Sequence, residues 1–272
     1  MTYPETPRLT FLGTQGWIPT PRRHTTSLAF EIEDLLFLFD AGTGLSRMLQ
    51  EPLAGAARRA KELHLFLTHY HLDHSAGLAY LSGLFGKMPL TVHVPGPELS
   101  GVAVPDGVPA LVRHPFHPVA FADHAGYSLQ ALAAGDNRVA GITVRARPQC
   151  HADTSVGYRV EDLFTFVTDT VADPATADFA RGSQALLHEA WIDGVEEGEP
   201  EQQELVRSTY GSHTSARQAA AIAAEAQVDE LYLIHLNPLF GEGYYADMQR
   251  SARAIFPATT VPSDLLVRGF RL

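Results

Sequence analysis

The chain has 272 residues, enough to bury a substantial core, and 20 basic against 31 acidic side chains leave a formal charge of −11. The basic residues are scattered, which argues against a broad electrostatic grip on nucleic acid. One cysteine, Cys150, excludes an intramolecular disulfide and a cysteine-rich zinc site, and no apolar run approaches the roughly 20 residues of a membrane span.

The predicted elements begin with three apolar runs that read as buried strands, LTFLG, SLAFEI and LLFLFD. Residues 46–60 follow as a helix, rich in Ala and Leu with few β-branched side chains. LHLFLTH reads as a strand, residues 74–85 as a helix and LTVHV as another strand. Residues 95–126, rich in Pro, Gly and His without clean periodicity, are expected to form a long surface excursion. LFTFVTD is a strand, the acidic stretch 193–204 a solvated loop, residues 215–227 a helix, and LYLIH and LLVRGF are strands. Strands followed by mixed strands and helices predict a layered α/β fold, a single domain over residues 1–272. The N-terminus lacks a signal-peptide pattern, and a cytoplasmic location is expected.

Four of the apolar runs finish on a ligand-type side chain: Asp40, His69, Asp169 and His235. In α/β sheets ligands gather beyond the carboxyl ends of strands, so one crevice could collect residues distant in sequence. The densest cluster is FLTHYHLDHSAG, with His69, His71, Asp73 and His74 inside six positions. His69 and His71, two apart on an extended segment, point to one side and can bind one ion; Asp73 and His74 suggest a second. Four such groups beside a buried strand carry a large desolvation cost unless something binds them. The isolated histidines His24, His64, His93, His114, His117, His124 and His188 read instead as satisfied core or surface residues.

These residues carry a resemblance. THYHLDHSAG resembles the signature of the metallo-β-lactamase superfamily, a four-layered αββα fold whose members hydrolyse esters, lactams, thioesters and phosphodiesters at one or two metal ions. Asp40 in LFDAGTG matches the family's strand-end aspartate, His151 its third histidine element, Asp169 in VTDT its bridging acid and His235 in LIHLNPL its last histidine. The resemblance implies that His69, His71 and His151 hold one ion and Asp73, His74 and His235 the other. Asp169 would bridge the two, Asp73 would also count among the catalytic carboxylates, and Asp40 would be buried and orient a ligand histidine. The ions are expected to be two divalent cations, zinc first, with manganese or iron also suited to His and Asp ligands. Cys150, beside His151, is expected to be a small buried residue rather than a ligand.

LLHEAWID resembles the HEAT element of the ribonuclease Z branch, and GSHTSARQAAAIAAEA its His-Ser-Thr element. The branch implies that His213 protonates the leaving oxygen and that Glu189 orients it. Hydrolysis of a phosphodiester by a hydroxide held on two ions needs such an acid, and histidine is the common choice. The start of the following helix disfavours a charged imidazole while welcoming a phosphate, and Glu189 counters the first effect. Trp191 stands where the HEAT element has threonine; core packing is the favoured reading, stacking on a base or aryl group the other.

Two departures bear on substrate. The transfer-RNA-processing members carry a long Gly/Pro-rich gripping arm between the third histidine element and the bridging aspartate. Here His151 and Asp169 are 18 positions apart, room for one short hairpin. The last motif has Leu239 where those enzymes have arginine. The expectation is therefore a dinuclear hydrolase of small or cyclic phosphodiesters acting on a small molecule, with no membrane partner and transfer RNA disfavoured. The branch's habit suggests a homodimer. The alternatives are ribonuclease Z-type 3′ processing of transfer RNA, with the arm supplied by a partner subunit, and lactone, thioester or sulfate ester hydrolysis on the same metals. A retired hydrolase acting as a binding scaffold is the remaining reading, and the filled ligand positions speak against it.

Overall fold

The computed structural model describes residues 6–151, 154–194, 204, 207–209 and 211–272. The chain divides into two compact units. The first takes the chain up to Thr14, Ile18–Ala134 and Ser263–Leu272; the second takes Gln15–Trp17 and Gly135–Pro262.

The first unit carries a seven-stranded mixed sheet of β1 (Arg8–Gly13), β2 (Ser27–Ile32), β3 (Leu35–Phe39), β4 (Glu62–Phe66), β5 (Leu90–Pro95), β6 (Tyr127–Leu132) and β14 (Val267–Gly269), ordered β14-β1-β2-β3-β4-β5-β6. β3 to β6 run parallel to one another, so their carboxyl ends share one edge. Every residue of β2 and β3 is buried, which explains their near-continuous apolar character, with the buried Glu31 of β2 paired with Arg8. Leu36, Leu38, Leu63 and Leu65 pack on the helical layer of this unit, against Leu45, Leu53, Leu78 and Leu81. The alternate positions Phe37, Phe39 and Phe66 form an aromatic cluster on the opposite face, Phe39 stacked on Phe66 at 5.0 Å.

The second unit carries the other seven-stranded sheet: β7 (Gly135–Val139), β8 (Ile142–Gln149), β9 (Ser155–Val160), β10 (Phe164–Val167), β11 (Ala185–Glu189), β12 (Glu230–Ile234) and β13 (Thr259–Thr260), ordered β13-β12-β11-β10-β9-β8-β7. β10, β11, β12 and β13 are parallel neighbours. The helices Ala175–Ala180, Ala216–Ala226 and Glu242–Arg253 cover one face, with Ala219, Ala223 and Met248 packed against Leu186, Leu231 and Leu233. Ala216–Ala226 starts at Ser215, whose hydroxyl accepts from the Gln218 amide in a capping box, and ends on Gln227 in the left-handed region.

Eight strands fall on the predicted apolar runs. The missed β9 is almost wholly buried, while those missed at β6 to β8 are half-exposed, and in β8 buried Val144 and Ala146 alternate with Arg145 and Arg147. Their signal was period-two alternation across the tight Ala140-Gly141 turn, φ 48° and 88°, rather than an apolar run. The predicted helix at 46–60 is a 3-10 turn, Thr43–Leu49, followed by the helix Leu53–Arg59, and the one at 74–85 is broken into three short pieces.

The expectation for residues 95–126 needs correction. His114 and Phe116 are exposed, but Leu99, Val108, Val112 and Phe121 are buried, the last three within the helical-layer core. Short helical turns break up the segment, and Gly107 lies flat against Tyr70: a Cβ there would meet the ring at 2.5 Å. The segment backs the HxHxDH loop. Most of the acidic stretch 193–204 lies outside the described residues. Among the described residues, no helix is long and apolar enough to cross a membrane.

Candidate active site

In the first unit the ligand-type residues leave adjacent parallel strands at the same edge. Phe39 of β3 pairs with Phe66 of β4, and Asp40 follows at once, its amide donating to the Phe66 carbonyl at 2.8 Å. Asp40 has φ 57°, a left-handed conformation that costs a non-glycine residue about 1–3 kcal/mol and is best tolerated by Asp, Asn and His. The turn drives a fully buried carboxylate beneath the HxHxDH loop. It accepts from the Thr68 amide at 2.8 Å, from the Thr68 hydroxyl at 3.0 Å and from His74 Nδ1 at 2.7 Å. His69 Nδ1 lies 3.0 Å from the same hydroxyl. A hydroxyl that donates to Asp40 is left to accept from His69. Asp40 thereby sets two imidazoles, one directly and one through Thr68, each with its proton on Nδ1 and Nε2 available as a ligand. Burial pushes the Asp40 carboxyl up, against the opposing pull of His74 and Thr68.

The His69 and His71 rings are 4.5 Å apart, and the His69 and His74 rings 4.4 Å. His74 Nε2 stands 3.4 Å from Asp73 Oδ2.

The second unit repeats the device on three parallel strands. Asp169 follows β10, Glu189 ends β11 and His235 follows β12, and the pairings Val167 with His188 and Glu189 with Ile234 bring them to one edge. Asp169 and His235 are left-handed, φ 50° and 51°. Asp169 Oδ1 lies 3.6 Å from His151 Nε2, and Oδ2 lies 3.3 Å from His235 Nε2 and 2.8 Å from the Thr168 hydroxyl. The His151 Nδ1 faces the Ser212 carbonyl at 3.1 Å, which leaves Nε2 turned to Asp169.

These spacings test the fit to a metal. An N–H to carboxylate hydrogen bond is about 2.7–3.2 Å long, whereas two ligands of one tetrahedral ion with bonds of about 2.0–2.2 Å stand roughly 3.3–3.6 Å apart. The separations of 3.3, 3.4 and 3.6 Å match the second case. Asp169 also offers one oxygen to each of two imidazoles, as a carboxylate shared between ions would. The donors are nitrogen and oxygen throughout, suited to zinc, manganese or iron.

Glu189 is fully buried. It accepts from the Thr170 amide at 2.5 Å and from His213 Nδ1 at 2.8 Å. Burial pushes its carboxyl up most strongly, but the His213 charge and hydrogen bond, joined by His235, outweigh it and hold Glu189 below the usual carboxylate range. Asp169, His213 and His235 each present a ligand-type atom, all within 4.8 Å of one another, so the Glu189–His213 pair stands beside the candidate metal-binding residues of its own unit.

Sequence reasoning missed the threonines. Thr68, Thr168 and Thr170 flank the strand-end ligand-type residues and fix Asp40, Asp169 and Glu189. Their signal is present in the TH spelling at 68–69 and the TDT spelling at 168–170, threonine directly beside a ligand-type residue. Gly16 was also missed: a Cβ there would lie 2.6 Å from the His235 ring and 2.7 Å from Trp191. Trp191 is not a wholly buried core residue. It is half-buried and stacks on His213 with ring centroids 4.4 Å apart and planes 12° from parallel. Cys150 is exposed, not buried. Of the isolated histidines, His64, His93 and His188 are core residues, His114 is exposed, and His24, His117 and His124 are half-buried.

A family described as the beta-lactamase superfamily domain matches residues 36–236. The chain is 27% identical to the ribonuclease Z of Synechococcus sp. (strain WH7803), over 95% of each chain. Among solved structures it resembles the metallo-beta-lactamase fold protein YhfI from Bacillus subtilis, with TM-score 0.75 and 19% identity over 97% of this chain and 100% of that one. It also resembles a diphosphatase from the PhnP family, with TM-score 0.67 and 17% identity over 98% of each. The two mixed sheets with their helices are thus the α/β sandwich fold of these proteins.

Proposed function

This chain belongs to the β-lactamase superfamily and is a metallo-hydrolase of that fold, and from this premise we propose that it cleaves small or cyclic phosphodiesters with His213 as general acid. The carrying observation is the 2.8 Å contact between His213 Nδ1 and the buried Glu189 carboxylate, with His213 within reach of Asp169 and His235. Glu189 fixes the ring through Nδ1 and leaves Nε2 as the nitrogen that delivers a proton to the departing oxygen. A general acid of this kind contributes about 10²–10⁴-fold and matters most when the leaving group is a poor one.

The residues that would hold the ions are those of the family pattern, His69, His71, Asp73 and His74 from the first unit and His151, Asp169 and His235 from the second. Two divalent ions, zinc in our reading, would supply a Lewis acid and a water of lowered pKa. Asp40, Thr68 and Thr168 keep the ligand side chains oriented for them.

Two features favour a small substrate. Between His151 and Asp169 the described residues form the β9–β10 hairpin, turned by Glu161 at φ 44°. Leu239, where an arginine would grip phosphate, is 66% exposed, so the rim beside His235 is apolar there. Processing of transfer RNA is the second reading, favoured by the ribonuclease Z relative that matches almost the whole chain. We place the protein in the cytoplasm.

The test is turnover of bis(p-nitrophenyl) phosphate against an aryl monoester, a sulfate ester and a lactone by metal-loaded protein, with Asp169→Ala as the blank and a precursor transfer RNA alongside. A diester preference without transfer RNA cleavage supports the reading. Turnover of the lactone or sulfate alone would sink it, as would a His213→Ala protein with unimpaired turnover of an unactivated diester.

A further inference from the structure

We infer that Trp191 is a positioning residue for the acid, holding the His213 imidazole in the plane from which it can reach the leaving oxygen. The inference rests on the reading of His213 given above.

Three observations within the second unit carry it. The first is the stack itself, nearly parallel at 4.4 Å and 12°. A hydrogen bond from Nδ1 to Glu189 anchors one point of the imidazole but permits the ring to swing about that bond. An aromatic plane laid against its face removes that freedom.

The second is backbone register. The Trp191 amide donates to the Thr214 carbonyl at 2.9 Å, and the Ala216 amide donates to the Ile192 carbonyl at 2.8 Å. Ile192 and Ser215 form an isolated parallel bridge. The loop bearing His213 is therefore stitched alongside the chain that leaves β11, and the two rings are brought together by main-chain pairing rather than by side-chain adaptation.

The third is the support of Trp191. Its edge lies where a Gly16 Cβ would sit, and its ring also stacks on His235 at 5.4 Å and 29°. Backbone on one side and a ligand histidine on another leave the indole little room to turn. Threonine at this position, as in the HEAT element, offers no such plane. The replacement exchanges a small polar side chain for a rigid wall on the acid.

Positioning errors of about 1 Å cost on the order of 10²-fold in rate, so loss of the wall is expected to have a measurable effect. The experiment compares ethyl phenyl phosphate with ethyl p-nitrophenyl phosphate, since only the poorer leaving group depends strongly on an acid. In Trp191→Leu the ratio of phenyl to nitrophenyl turnover is expected to fall about tenfold, in the direction of His213→Ala, and Trp191→Phe is expected to restore most of it. Proton NMR of the metal-free protein gives an independent readout: the indole ring current should shift the His213 ring protons upfield, and Trp191→Leu should remove that shift. Equal losses on both esters, or an unchanged ratio while His213→Ala lowers it, overturn the inference alone. A His213→Ala protein that keeps the ratio overturns the acid assignment and this inference with it.

Discussion

His74 Nδ1 donates to the Asp40 carboxylate at 2.7 Å, with both side chains fully buried. That one contact joins the end of β3 to the loop after β4 and leaves His74 Nε2 turned toward Asp73. The Thr68 hydroxyl extends the same control to His69.

Replacement of Asp40 by asparagine should therefore weaken metal binding without deleting a ligand. Partners of this type typically carry about 10–100-fold in affinity. Competitive zinc titration of Asp40→Asn against the native protein measures it; equal affinities would show that His74 and His69 are held by other contacts.

Removal of metal should destabilise the fold, because the ligand spacings are those of bound rather than hydrogen-bonded groups. A ligand at 100 times its dissociation constant stabilises the native state by about 2.7 kcal/mol. Melting with and without a chelator should show this as a drop in Tm, reversed by added zinc. The Asp169→Ala protein should show a much smaller chelator-dependent drop, and an equal one would count against Asp169 as a ligand.

The buried pair His64 and His93, with Nδ1 and Nε2 3.1 Å apart, predicts an acid sensitivity unrelated to catalysis. Burial depresses His93 to about 3, helped by His64, and lowers His64 as well. Between about 3 and the ordinary 6.5 the unfolded chain binds a proton at His93 that the folded chain does not. Stability is therefore fully present above about 6.5 and is lost as pH falls through that window, at up to about 1.4 kcal/mol per pH unit for one group. Denaturant midpoints from pH 4 to 7 should flatten in His93→Phe; the same slope in both proteins would assign the acid loss elsewhere.

Gly107→Val should destabilise the first unit, since the added side chain would overlap the Tyr70 ring between His69 and His71. Overpacking of this kind costs about 1–3 kcal/mol. Urea unfolding gives the stability change, and zinc titration of the same protein shows whether the HxHxDH loop has moved; an unchanged midpoint would mean that Tyr70 can step aside.

The metal-ligand candidates, the Glu189–His213 pair and the strands that end in long apolar runs were legible in linear order because each depends on local chemistry, whereas the buried β9 and β11 were not read as strands. Apolar runs had to end where they do, and Asp and His at their ends are among the few non-glycine side chains that accept the left-handed turn at positions 40, 169 and 235. The half-exposed strands β6 to β8 were not legible as apolar runs, since polar and charged residues on one face break them. Which threonine supports which carboxylate, which face of His213 Trp191 covers, and that residues 95–126 feed the core beneath the HxHxDH loop are decided only by strand order and close packing. Such contacts join residues tens to hundreds of positions apart, as Gly16 and His235 show, and no periodicity within either segment encodes the partner.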